Sequence, residues 1–222
     1  MTDGSKTEGR TASLSAVEFA VGVLVVIGHN VLRILPNEVP ILCVLGLISF
    51  RVRNGGWDAM GFRKPTSWAR IVLIAVAAAV LRIVLGEVIV DPLAARYWPP
   101  AASPAGVEEI TGNLTVGAMW LLKVWTFAAF GEEIAYRGYL LNRAADVGRG
   151  STAAYWIAMV LVSIAFGYGH YYKGPAGILD SGVAGLVLGT AYLLSGRNLW
   201  ASIIAHGLID TVGIVVVFLG LQ

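Results

Sequence analysis

Six stretches of this chain, residues 13–35, 68–90, 114–130, 151–169, 175–194 and 198–219, are apolar for about the 20 residues a helix needs to cross roughly 30 Å of hydrocarbon. A shorter run at 39–50 makes a seventh candidate. Inside hydrocarbon every backbone N–H and C=O must be paired within the protein, which leaves only α-helices or a closed β-barrel. The runs are continuously apolar and lack the period-two alternation of strands that face lipid on one side and a lumen on the other. The expectation is an all-α, polytopic membrane bundle of about seven transmembrane helices. Composition agrees: 57% of the residues are hydrophobic and only 14% charged, against about a quarter charged in soluble domains.

Residues 1–12 are polar and small, so they read as a disordered tail; neither a charged signal-peptide start nor a small-x-small cleavage site is seen. Residues 13–222 then form one integral domain without internal repeats. Cys43 is the sole cysteine and excludes an internal disulfide and a multi-cysteine metal site. A net charge of +2 gives no reason to expect nucleic acid, and membrane lipids are the expected surroundings. Basic residues concentrate at Arg51, Arg53, Arg63, Lys64, Arg143, Arg149 and Arg197, whereas 91–113 has only Arg96 and 171–174 only Lys173. Because Lys and Arg are retained on the cytoplasmic side, seven spans place the N-terminus inside and the C-terminus outside. The connection 51–68 carries Trp57, Met60, Phe62 and Trp68, suited equally to the headgroup level or to an ordinary loop. The connection 91–113, with four prolines, reads as a non-helical cap on the opposite face, and its Asn113-Leu114-Thr115 sequon as chance.

An ionisable side chain within a spanning helix is costly unless it sits at an end, snorkels, is paired, or is functional. Arg33, Arg70, Arg82 and Glu87 are near span ends or have stems that reach the interface, and Lys123 is partly covered by the same reasoning. His29 and Asn30 suit an interhelical hydrogen-bond pair. Asp180 and Ser181 either line a cavity or sit at its edge. Three clusters remain: "EEIAYR" sets Glu133 and Arg137 four apart, "FGYGH" sets Phe166 and His170 four apart, and "HGLID" sets His206 and Asp210 four apart. Residues four apart share a helix face one turn along, so three helices can present polar pairs to one interior.

Connectivity brings two of them together. If 114–147 is one helix and "GRGS" at 148–151 reverses the chain, Glu132 lies opposite about residue 168, within a turn of His170. With Arg143 and Arg149 drawing the hairpin tip into water, Glu132 comes out about 12 Å below the cytoplasmic surface at 1.5 Å per residue, and His206 at a similar depth. A polar pocket opening toward the cytoplasm is the expectation.

Such a pocket can activate water, because a carboxylate removed from bulk solvent is a competent general base. Arg137 can hold Glu133 ionised, leaving Glu132 as the base, although spacing alone does not force that division. His206, oriented by Asp210, can donate to a developing oxyanion. Two histidines with carboxylates also make a hydrolase metal shell, here Glu132, His170, His206 and Asp210 with zinc as the candidate, although no HExxH motif is present. Intramembrane carboxylates and histidines equally build the proton relay of a transporter, and mutually satisfied interhelical pairs would be structural only. From the residues alone these readings stay open.

The three motifs in their order resemble those of the CPBP membrane proteases, which include the CAAX prenyl endopeptidases and bacterial relatives linked to bacteriocin processing and immunity. "EEIAYRG" matches the EExxxR pattern, "FGYGH" FxxxH and "HGLID" HxxxN/D, across 114–219, and "MGFRKP" at 60–65 is also similar. The resemblance implies an intramembrane endopeptidase, in the plasma membrane of a prokaryote, acting on a membrane-associated or lipidated protein or peptide. In it Glu132 and His170 activate a water, His206 and Asp210 stabilise the oxyanion, and Glu133, Arg137 and Phe166 support them. A metal-free, glutamate-type mechanism without a cofactor is favoured over a zinc-dependent one, and an immunity factor without peptidase activity is the further alternative. Asp210 stands where CAAX-processing members have Asn, so its charge must be neutralised, must orient His206, or must ligate a metal. Tyr136 stands where many relatives have Phe.

Overall fold

A computed structural model describes residues 3–103 and 105–221, with side chains described from Thr11 onward apart from these gaps. Seven helices run back and forth between two ends of one bundle, with no strand among the described residues. They are α1 (Asp3–Asn30), α2 (Glu38–Arg53), α3 (Trp68–Ala94), α4 (Leu114–Val147), α5 (Thr152–Tyr168), α6 (Gly174–Leu194) and α7 (Leu199–Phe218). Five of these, α1, α3, α4, α6 (with the preceding turn from Tyr171) and α7, are long and apolar enough to cross a membrane. At 16 and 17 residues, α2 and α5 extend only about 24–26 Å, a little short of a full hydrocarbon core. The expected count of seven therefore holds for helices, and five of them satisfy the length criterion.

Polar residues at the boundaries start the helices. The side chains of Asn37, Ser67, Asn113, Ser151 and Asn198 each accept a hydrogen bond from a first-turn backbone N–H, at the heads of α2, α3, α4, α5 and α7. Asn113 of the sequon is thus a helix cap.

The central element is α4. It packs against α2, α7 and α5, and its last turns lie against α1. From Val124 to Leu141 it adopts the wider π-helical hydrogen-bond pattern, which is rare and gathers at functional sites. Phe166 of α5 sits edge-on to Tyr136 at 5.0 Å, close to the antiparallel register expected from the "GRGS" reversal. Helices α5 and α6 approach closely because Gly167 and Gly185 are bare: a Cβ on Gly167 would meet the Ile178 carbonyl oxygen at 2.7 Å, and one on Gly185 the Ser163 Cα at 3.0 Å.

Helix α1 reaches back to Asp3, through most of the segment expected to be a disordered tail; Met1 and Thr2 lie outside the described residues. Arg143 does not draw the hairpin tip into water. It is 1% exposed, lies over the Phe50 ring, and pairs with Glu18 at 2.9 Å and Asp146 at 2.8 Å. The connection 54–67 is anchored: Met60 is fully buried, Phe62 stacks on Phe130 at 5.6 Å, and Asn198 donates to the Arg63 carbonyl.

Candidate active site

Three helices carry the motif side chains to one place. On α4, Glu133 and Arg137 are four residues apart and form an ion pair at 2.7 Å, with Glu133 0% and Arg137 1% exposed. The carboxylate oxygen that takes Arg137 Nη1, Oε1, also accepts from His206 Nδ1 of α7 at 2.8 Å. Arg137 Nη2 donates to the Gly185 carbonyl of α6, and its guanidinium lies 4.6 Å over the Phe166 ring of α5. A buried charge pair endures only with such extra partners, because desolvation otherwise exceeds the Coulombic gain. This cluster joins α4, α5, α6 and α7 into one unit.

The neighbouring residue has a different environment. Glu132 is half-buried and faces a cavity of about 620 Å³; its Oε2 is buried without a hydrogen-bond partner, and its carboxylate has no hydrogen bond or ion pair among the described residues. Lining the same cavity are His170, His206 and Asp210. His170 follows the end of α5, where its Nδ1 donates to the Phe166 carbonyl at 3.0 Å, leaving Nε2 as the ring nitrogen free of that bond. His206 Nε2 stands 3.6 Å from Asp210 Oδ2, so the ring lies between two carboxylates, Glu133 on one nitrogen and Asp210 on the other. With Nδ1 committed to Glu133, Nε2 is the atom His206 turns to the cavity side. Phe166 touches both imidazoles, at 4.9 Å from His170 and 6.2 Å from His206, and so holds the motif residues of three helices together. All seven residues singled out from the three motifs thus belong to this cluster or its cavity.

The cavity also takes in residues that sequence reasoning assigned elsewhere or did not single out. Arg82 of α3, expected to snorkel, is buried and ion-paired to Asp180 of α6, and both line the cavity. Of the two residues expected in interhelical hydrogen bonds, His29 of α1 faces Glu38 of α2, Nε2 to Oε2 at 3.4 Å, whereas Asn30 donates to the Val26 carbonyl of its own helix. Glu38, which was not singled out, is 6% exposed and accepts from the Tyr136 hydroxyl at 3.4 Å. Tyr136 therefore uses the hydroxyl that a Phe at its position lacks. A charge placed directly after Pro36-Asn37, at the head of an apolar run, was the available signal for Glu38.

The direction of the cavity corrects a further expectation. Its lining leads from Glu132 and His206 toward Asn37, Val107, Tyr172 and Val217, the end that carries connections 31–37, 95–113 and 169–173. None of the residues in the basic connections 54–67, 148–151 and 195–198 lines it. The pocket expected to open toward the basic end opens toward the other one, because Glu133, Arg137, Tyr136 and Phe166 are packed solidly beneath it.

As arranged, the candidate ligand set does not fit a metal: among the described residues no three His, Cys, Asp or Glu side chains are grouped so that they could hold one. Glu133 and His206 are already committed to each other.

Residues 114–212 match the family model for the type II CAAX prenyl endopeptidase, Rce1-like. The resemblance read from the three motifs and this match agree, and both fall on α4 to α7. With its apolar helices, the chain is an integral membrane protein. No curated protein and no solved structure gave a match.

Proposed function

Taking the match over α4 to α7 as the premise, we propose that this protein is an intramembrane endopeptidase that hydrolyses a peptide bond of a membrane-associated or lipidated protein or peptide through a glutamate-activated water. The single observation that carries this reading is the contrast within one dipeptide: Glu133 is locked into a buried ion-paired cluster, whereas Glu132 presents a carboxylate without a hydrogen-bond or ion-pair partner among the described residues to a cavity it shares with His170 and His206.

In this reading a water between Glu132 and His170 attacks the scissile carbonyl as Glu132 takes its proton. The C=O π electrons move to oxygen, and the oxyanion lies toward His206. A His206 ring protonated on both nitrogens donates from Nδ1 to Glu133 and offers Nε2–H to that oxygen. One well-placed donor of this kind is worth about 3–4 kcal/mol of barrier. The protonated Glu132 then passes the proton to the leaving amine as the C–N bond breaks, giving a new carboxylate and a free amine. Asp210 acts through His206, as an anion beside an imidazolium, which answers the difficulty of a carboxylate where CAAX-processing members have Asn. Phe166, Glu133 and Arg137 keep the two imidazoles and the base in register.

No step in this scheme uses a metal, so cleavage is expected to persist in chelator and to gain nothing from zinc. Prenylated C-terminal peptides, bacteriocin precursors and C-terminal sorting tags all fit the proposed substrate class. The test is purified protein in proteoliposomes incubated with a library of membrane-anchored peptides and read by mass spectrometry. The wild type should yield defined new termini and Glu132→Ala none. Full activity in Glu132→Ala, or proton-coupled flux in place of cleavage, would overturn the assignment.

A further inference from the structure

The two ends of the bundle differ in charge, and the cavity opens at only one of them. At the first end, Arg63, Lys64, Arg149 and Arg197 lie in the connections, with exposed Arg51 and Arg70 on the adjoining turns. At the second end the connections hold Arg33, Arg96 and Lys173, with Glu108 and Glu109 beside them. Short connections rich in Lys and Arg are retained in the cytoplasm during insertion, so the first end is the cytoplasmic one. The cavity leads from mid-depth at Glu132 to the second end, where Asn37, Tyr172 and Val217 stand at its mouth. Toward the first end the way is closed by the buried Glu133–Arg137 pair and, below it, by Asn142, which donates to the Tyr192 hydroxyl and to the carbonyls of Arg137 and Gly138.

We infer that the site is loaded from the non-cytoplasmic face of the membrane, and that its substrate class is a membrane-held peptide segment presented on that face, such as the end of an exported or secreted chain, in place of a lipidated protein tethered in the cytoplasm. The substrate half of this inference rests on the peptidase reading; the side of access does not. The rim suits such a substrate. Phe127, 60% exposed, and exposed Lys123 on the outer half of α4 line the cavity and also face outward, so an apolar anchor can stay in lipid while the adjoining backbone enters. Lys123 lies 4.2 Å over the Trp120 ring, an arrangement suited to the interfacial zone.

The experiment uses the full chain in cells, with Cys43, the only native cysteine, inside α2 as the blank. Tyr172→Cys at the mouth and Thr66→Cys at the first end are treated with a membrane-impermeant maleimide. The expected result is labelling of Tyr172→Cys in intact cells and of Thr66→Cys only after permeabilisation. The reverse pattern overturns the inference. In a second arm, a peptide that the purified protein cleaves is added outside sealed vesicles. Right-side-out vesicles should cleave it at least tenfold faster than inverted ones, with Glu132→Gln inactive in both; faster cleavage by inverted vesicles overturns the inference. Should purified protein cleave no peptide at all, the peptidase reading fails, while the labelling pattern still decides the side of access.

Discussion

Glu132 and Glu133 are adjacent on one helix and have opposite surroundings. Glu133 shares one carboxylate oxygen between Arg137 and His206 and is wholly buried, so its charge is matched by fixed partners on two helices. Glu132 looks into the cavity with no hydrogen bond or ion pair for its carboxylate among the described residues. A membrane protein tolerates the first kind of charge as part of its structure, because Glu133 Oε1 is held by both Arg137 and His206, even though its Oε2, like Oε2 of Glu132, has no hydrogen-bond partner among the described residues. The second kind has a cost without a structural return, which is what supports the proposed role of Glu132 as the base. The two ends of the bundle differ as well. Arg143, Glu18, Arg53, Ser49 and Asp146 close on one another at the basic end, while Glu38, Asp180, Asp210 and His170, each with a partner of its own, line the cavity at the other.

Substitutions can break that contrast, and the largest effect is expected at the ion-paired glutamate. Glu133→Ala leaves Arg137 buried without its carboxylate, which costs about 3–5 kcal/mol, so thermal unfolding in detergent should drop sharply and peptidase activity should vanish with the fold. Next comes His170→Ala on the cavity side. It should lower cleavage by about 10²–10⁴-fold, the range for a residue that handles the reacting proton, while the unfolding temperature stays near that of the wild type. Asp210→Asn keeps the shape beside His206 and removes the charge; we expect a change in the cleavage rate of no more than about tenfold, equivalent to about 1.4 kcal/mol of barrier. The smallest effect belongs to Tyr136→Phe, which deletes only the hydroxyl bonded to Glu38 and should cost about 0.5–1.5 kcal/mol in denaturant-unfolding stability.

Much of this arrangement was legible in the sequence, because it is local or follows from connectivity. The i, i+4 pairs in three motifs and the reversal at "GRGS" were enough to bring Phe166 against Tyr136 and Arg137, and His206 proved to belong to the same cluster. Interactions between residues distant in sequence were not legible. Arg143 was placed in water because its partner Glu18, on α1, and the Phe50 ring that it covers, on α2, leave no trace near it in the chain. The direction of the pocket was not legible either, since the residues that close it toward the basic end, Glu133 and Arg137 with Phe166 and the Gly185 carbonyl, come from three helices. Arg82 and Asp180 show the same limit: Arg82 reads as a span-end residue and Asp180 as one that lines a cavity or sits at its edge, and only the packing of α3 beside α6 pairs the two.

The measurement that bears most directly on the account is a side-by-side comparison of Glu132→Gln and Glu133→Gln, each assayed for thermal unfolding and for cleavage of a peptide that the wild type cuts. The account predicts that Glu132→Gln melts like the wild type and cleaves at least about 10³-fold more slowly, a barrier increase of about 4 kcal/mol, while Glu133→Gln is the one that loses stability. Cleavage at the wild-type rate by a well-folded Glu132→Gln protein would contradict it.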